Sequence, residues 1–217
     1  MRATNTLVIA STNQHKCEEF RALLLPYAKL TLLPANEIIV NAWKLGHEER
    51  YLTYLENAVA KARLANQACH YPCLGDDSGL EVDALEGRPG IKSHRFAKPS
   101  HGITQDQANI ELLLDELRKK SGAPRTARFI CTLALVMEGI LIHATGVLEG
   151  KIIDAPRGGS GFGYDPIFEP KVTAGAVANK TIAEMTATEK NMISHRAKAV
   201  GALMLKIREN NTVLALP

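Results

Sequence analysis

Two long apolar runs, TARFICTLALVM (Thr126 to Met137) and ILIHATGVLEG (Ile140 to Gly150), are separated only by Glu138 and Gly139. A two-residue link containing glycine is the commonest connection of a β-hairpin, so the middle of the chain reads as two long antiparallel strands. Everything else has to pack on that hairpin. Before it, strand-like and helix-like segments alternate. TLVIAST (Thr6 to Thr12) reads as a buried strand, and QHKCEEFRALLL as a helix with Cys17, Phe20, Leu23 and Leu24 on one face. KLTLL (Lys29 to Leu33) is a second strand. TYLENAVAKARLANQAC is a second helix, with Leu55, Val59, Ala62 and Ala65 at helical spacing and Thr53 with Glu56 as a capping box. PCLGDD is a third strand that ends in the two acids. TQDQANIELLLDELRKK (Thr104 to Lys120) is a third helix, capped by Thr104 and Gln107.

After the hairpin comes a glycine-rich loop, APRGGSGFGYDPIF. TATEKNMISHRAKAVGALMLKIREN then reads as one long closing helix. Thr186 and Glu189 form its capping box, and Met192, Ile193, Ala197, Val200, Met204 and Ile207 its apolar face. NTVLALP is expected as an edge strand or a frayed tail. There is no internal repeat or low-complexity segment, and KKSGAPR is the sole, short linker candidate. The pattern predicts a single α/β domain over residues 1–217: a long mixed β-sheet flanked by helices, in two lobes around a central cleft.

Composition narrows the partners. With 217 residues, 46% hydrophobic and 23% charged, the chain has the makeup of a globular protein. A net charge of +3 is too small to argue for nucleic acid or an anionic membrane, and it permits an anionic small molecule. No apolar stretch approaches the length of a membrane span. The four cysteines contain no C-x-x-C pair, which suits reduced thiols and a cytoplasmic setting.

Four stretches carry chemistry. The first is GDDSG, where Asp76 and Asp77 stand between Gly75 and Gly79. On a strand, neighbours point to opposite faces, so only one acid faces a given side unless the turn re-aims the other. The plain alternative is a turn. The second is ASTNQHK. Ser11, Thr12, Asn13, Gln14, His15 and Lys16 lie where a strand passes into a helix, a place whose free N–H groups suit phosphate. The alternative is an N-cap by Thr12 or Asn13 with a solvated Lys16. The third is GGSGFGYDP, a loop that could close on a ligand, with Phe162 or Tyr164 placed to stack on a base. The alternative is a tight turn carrying core aromatics. The fourth is the run from Lys180 to His195 and Arg196, suited to carbonyl or phosphate oxygens. The alternative is a solvated helix face. Together, anion-binding groups, the acids Asp76, Asp77 and Glu56, and an aromatic loop suit a magnesium–nucleotide site.

In order, LVIASTNQHK, TYLENAVAKA, GDDSGLEVDALEGRPGIKSHRFA, GGSGFGYDPIF, NKTIAEMT and EKNMISHRAKA resemble the inosine/xanthosine triphosphate pyrophosphatase family, over Leu7 to Ala199. The resemblance implies a nucleotide-binding cleft between two lobes and hydrolysis of ITP, dITP and XTP to monophosphate and pyrophosphate. It also implies a requirement for Mg2+ and a homodimer. It makes Asp77 the essential catalytic carboxylate, as general base on water or as metal ligand, with Glu56 a further metal-coordinating acid. It gives Ser11 to Lys16 the triphosphate, puts Ser78 beside the substrate, and assigns Phe162, Gly163, Tyr164, Asp165, Lys180, His195 and Arg196 to nucleotide and base. Thr12 stands where the family's phosphate turn has glycine, and His15 where a second glycine is frequent. Two other readings fit the same residues: a pyrophosphatase of other modified nucleotides, and a non-catalytic nucleotide-binding module.

Overall fold

The computed structural model describes residues 5–27, 30–42, 44–45, 50–172, 175 and 177–210. Lys29 of the expected second strand and the expected tail at 211–217 lie outside the described residues. The elements in chain order are β1 (Thr6–Ile9), α1 (Gln14–Leu24), β2 (Thr31–Pro34), α2 (Ala35–Ile38), α3 (Tyr54–Cys69), β3 (Cys73–Val82), β4 (Pro89–Gly90), α4 (Gln105–Arg118), β5 (Thr126–Met137), β6 (Ile140–Ile152), β7 (Phe168–Pro170), α5 (Ala187–Ile193) and α6 (His195–Glu209). The strands make one mixed sheet in the order β2-β1-β3-β5-β6-β7, with β4 on β3. β1 pairs in parallel with both β2 and β3, and β4 and β7 pair antiparallel to β3 and β6. The expected hairpin is β5–β6, and Glu138 and Gly139 both take positive φ, 37° and 81°, which matches the twist of the flanking strands.

The chain divides into two compact units. The first comprises Met1–Asp77, Cys131–Gly146 and Arg196–Pro217; the second comprises Ser78–Ile130 and Val147–His195. In the first unit, alternation along β1, β3 and β5 buries both faces. Leu7, Ile9, Leu74, Leu133 and Leu135 pack against Phe20 and Leu24 of α1 and Val200, Leu203 and Ile207 of α6. Their neighbours Val8 and Cys73 pack with Ala65 of α3, and Ala134 and Val136 with Ala58 and Ala62 of the same helix. Helix α3 lies close against the sheet: a Cβ added at Gly75 would stand 2.1 Å from the Ala58 carbonyl oxygen. In the second unit, Leu80 and Val82 of β3 pack with Leu113 and Leu117 of α4 and with Phe129, Leu148 and Phe168.

Two expectations need correction. β3 does not end at the acids but runs on to Val82, because Leu80 and Val82 continue the apolar alternation into the second unit's core. Asp76 and Asp77 are therefore mid-strand, not in a turn. The closing helix is two helices. Ser194 breaks it with φ −61° and ψ 154°, the extended backbone of an N-cap, directly before His195 opens α6. Met192, expected on the apolar face, is consequently 69% exposed.

Candidate active site

The site residues of the first unit start at the head of α1. Asn13 is the N-cap: its side chain accepts from the Lys16 N–H at 3.1 Å, and its own N–H donates to Ser11 Oγ at 3.2 Å. Thr12, Gln14 and His15 are exposed. Lys16 turns inward, and its Nζ lies 2.7 Å from Asp76 Oδ2.

Both acids are buried, Asp76 to 2% exposure and Asp77 to 3%. A lone buried carboxylate would take up a proton, so each needs a partner. Strand alternation gives each its own. Burial works to raise the Asp76 pKa, but the Lys16, Lys61 and Arg196 charges outweigh it and hold the carboxyl below the usual range. Arg196, buried at the start of α6, also donates to Glu19 Oε2 of α1 at 2.9 Å. Asp77 has α3 as its neighbour. Asn57 Nδ2 donates to Asp77 Oδ2 at 3.0 Å, and Lys61 Nζ lies 3.8 Å from Oδ1. Asn57 is itself fixed, since its Oδ1 accepts the Tyr51 N–H at 3.0 Å. Glu56, one residue before Asn57, is exposed, and its Oε2 accepts the Thr53 hydroxyl at 2.7 Å.

The second unit carries another buried ion pair. Asp165 Oδ2 accepts from Lys190 Nζ at 2.7 Å and from the Phe162 N–H at 3.0 Å. The Lys190 ammonium also lies 4.9 Å from the centre of the Phe162 ring. The glycine-rich loop fits this cluster without room to spare. Gly161 has φ +79°, and a Cβ there would meet Asp165 Oδ2 at 2.2 Å. The Gly163 N–H donates to Asp106 Oδ2 at 2.7 Å, and the Tyr164 hydroxyl donates to the Ser93 carbonyl at 2.9 Å. Tyr164 is buried while Phe162 is half-buried. His195 is buried and stacks on Phe129, with ring centres 4.8 Å apart and planes 13° apart. Lys180 does not join Asp165; it donates to Glu189 Oε1 at 2.7 Å. That hydrogen bond, with those from the Thr186 backbone and hydroxyl, lowers the Glu189 pKa to about 2. Ser78 follows Asp77 on β3 and is half-buried.

Among the described residues, no three His, Cys, Asp or Glu groups converge into a metal cage. Asp77 and Glu56 offer hard carboxylate oxygens, and the nitrogens beside Asp77, those of Asn57 and Lys61, are an amide and an ammonium that give no lone pair to a metal. That set fits magnesium, which takes one or two carboxylates and fills its remaining positions with phosphate oxygens and water.

Three of the groups that organise these clusters escaped the sequence reading: Asn57, Lys61 and Lys190. Lys61 had a readable signal, since it lies one helical turn from Asn57 inside the alanine stripe that packs on β3. Lys190 had none, because it directly follows the capping glutamate on a first turn that is otherwise exposed.

Fold and site together define a mixed-sheet α/β protein whose central strand carries two buried carboxylates, each compensated by lysine from a different helix. The sequence profile of the Ham1 family matches residues 7–206. The chain belongs to that family. It is 40% identical to a dITP/XTP pyrophosphatase of Ralstonia nicotianae, over 93% of this chain and 96% of that one. It is likewise 40% identical to a dITP/XTP pyrophosphatase of Lactiplantibacillus plantarum, over 96% and 98%. Among solved structures it resembles a HAM1 protein from Coxiella burnetii, with TM-score 0.76 and 34% identity over 94% of this chain and 98% of that one. The Staphylococcus aureus Ham1 protein follows with TM-score 0.73 and 32% identity, over 94% and 99%.

Proposed function

We propose that this protein is a nucleoside-triphosphate pyrophosphatase that hydrolyses the non-standard purine nucleotides ITP, dITP and XTP to monophosphate and pyrophosphate. The observation that carries this is the Asp77 carboxylate, buried and ionically matched, in a chain 40% identical end to end to dITP/XTP pyrophosphatases.

Asp77 is the group that takes the proton. Asn57 holds Oδ2 and Lys61 lies by Oδ1, which fixes the carboxylate and keeps it ionised, as a general base must be. The water oxygen bonds to the α-phosphorus, the α–β bridging bond breaks, and pyrophosphate leaves with its electrons. Lys16 and the amides at the head of α1 oppose the leaving group's charge. Each helix-end contact is worth only about 0.3–1 kcal/mol, so the lysines carry most of the protein's share. Magnesium, held by Asp77 and Glu56, would neutralise phosphate charge and lower the pKa of bound water.

Base choice follows from hydrogen bonding. Hypoxanthine and xanthine carry an oxygen at position 6 where adenine carries an amino group. A donor such as His195 or Arg196 rewards the oxygen and leaves adenine's amino group unmatched. Phe162 is the aromatic for stacking, since the Tyr164 hydroxyl is already committed to Ser93. We assign the protein to the cytoplasm, and we take it to be a homodimer, a state that light scattering on the purified chain checks.

The decisive experiment offers ITP, XTP, GTP, ATP, CTP and UTP with magnesium and assays pyrophosphate separately from orthophosphate. Pyrophosphate and IMP from ITP, with ATP nearly untouched, is the expected result. Orthophosphate alone, or equal turnover of every nucleotide, would sink the reading.

A further inference from the structure

Cys69 and Cys73 play no part in that chemistry, yet their sulfurs lie 3.5 Å apart. Cys69 is the last residue of α3 and Cys73 the first of β3, joined by the three-residue turn His70–Tyr71–Pro72. The turn is pinned from both sides. His70 takes the left-handed conformation with φ 58° and closes the helix by donating to the Asn66 carbonyl, while Asn66 Nδ2 holds the Tyr71 carbonyl at 2.7 Å. The Cys73 thiol faces that same carbonyl at 3.3 Å. These hydrogen bonds fix the turn that brings the two sulfurs together. Bond formation needs a closing movement of about 1.5 Å, to the ~2.05 Å of a disulfide. The sulfurs differ in access: Cys69 is half-buried, Cys73 is fully buried.

We propose that Cys69 and Cys73 form a dithiol modification site, which a hydroperoxide converts to an intramolecular disulfide. Cys69, the accessible member, attacks the peroxide O–O bond; its sulfur gains an S–O bond and is oxidised to sulfenic acid, and water or alcohol leaves. The Cys73 sulfur then attacks the Cys69 sulfur, the S–O bond breaks, and hydroxide departs with the Cys73 proton as water. In sum, two thiols and one hydroperoxide give one disulfide, one water and one alcohol (a second water when the oxidant is hydrogen peroxide). Burial pushes the Cys73 thiol well above an ordinary cysteine, which disfavours its thiolate and makes it the resolving partner rather than the first to react. The product staples the end of α3 to the start of β3, the two elements that hold Asn57, Lys61 and Asp77.

The test treats the intact, folded protein with hydrogen peroxide, followed by thiol counting and peptide mapping with and without dithiothreitol. The expected result is loss of two of the four thiols, a Cys69–Cys73 cross-linked peptide within one chain, and full reversal by dithiothreitol. In Cys73→Ser, Cys69 is expected to stop at sulfenic acid and be captured by dimedone. In Cys69→Ser, the Cys73 thiol is expected to survive. Four results would overturn the site: no thiol lost, sulfinic acid at Cys69 with Cys73 still reduced, Cys69 linked to a second chain, or Cys73 oxidised equally in Cys69→Ser.

Discussion

At the scale of single residues, the chemistry rests on charges that are buried with their partners. Asp77→Asn keeps the shape and the Asn57 contact but removes the proposed base. Turnover of ITP is expected to fall by about two to four orders of magnitude, while ITP binding, followed by calorimetry, persists. A binding module would instead show no turnover to lose. The Asp165–Lys190 pair makes a stability prediction. Removing one member strands a buried charge, so Asp165→Asn should cost about 3 kcal/mol in urea unfolding. The double change Asp165→Asn with Lys190→Met removes both charges and should recover more than half of that loss. Additive costs would mean the two groups do not depend on each other. Asp77 was readable from sequence as one of two adjacent acids between glycines. Its partners were not, because Asn57 and Lys61 are brought to it by a helix that sequence spacing places only relative to itself. Lys180 shows the converse. The sequence put it near a helix start with free choice of partner, and the fold gives it to Glu189.

At the scale of elements, most local capping signals were legible, although at Thr53 the hydroxyl caps the Glu56 N–H while the Glu56 carboxylate returns to that hydroxyl and completes no box. The Thr104–Gln107 and Thr186–Glu189 boxes form as read, as does the Glu138–Gly139 hairpin turn. The break at Ser194 was hidden because apolar periodicity continues across it, and only the burial of His195 and Arg196 requires the new start. The α5 cap has a pH consequence. With Glu189 at about 2 in the folded chain, against 4.5 ordinarily, its contribution is full above pH 4.5 and is lost as pH falls toward 2. Glu189→Gln should therefore flatten that part of the acid stability profile, seen in urea midpoints measured from pH 5 to pH 2. Gly75 sets the contact between α3 and β3. Gly75→Ala would drive a methyl group into the Ala58 carbonyl and the Ala62 amide, costing about 1–3 kcal/mol or more. Thermal unfolding tests it, and an unchanged Tm would mean the helix can back away.

At the scale of the molecule, two cores are built along three shared strands, since β3, β5 and β6 each pass from one unit into the other. Phe20 anchors the first core and Phe168 the second, both at 0% exposure. Either Phe→Ala change is expected to cost about 3–5 kcal/mol. Because the strands are covalently common, native-state hydrogen exchange in either variant should lower protection in both halves of β5 together. Loss confined to one half would mean the units open independently. The α/β class and the mixed sheet were legible in the alternation of segments. Two lobes were expected, but where the units divide was not readable, because the borders cut through strands where the sequence shows no linker, and KKSGAPR falls inside the second unit rather than at its border.

The alternation of β3 also has a genetic reading. Asp76 and Asp77 are adjacent letters that address opposite faces of the sheet, so their assignment depends on phase as well as identity. Loss of a single codon between Cys73 and Gly75 would leave both acids in the chain and a strand of nearly the same composition. It would nevertheless exchange their addresses, turning the acid that belongs to α3 toward α1 and the other toward α3. In this segment a one-residue deletion should be more damaging than either charge-removing substitution, since it misdirects two messages at once.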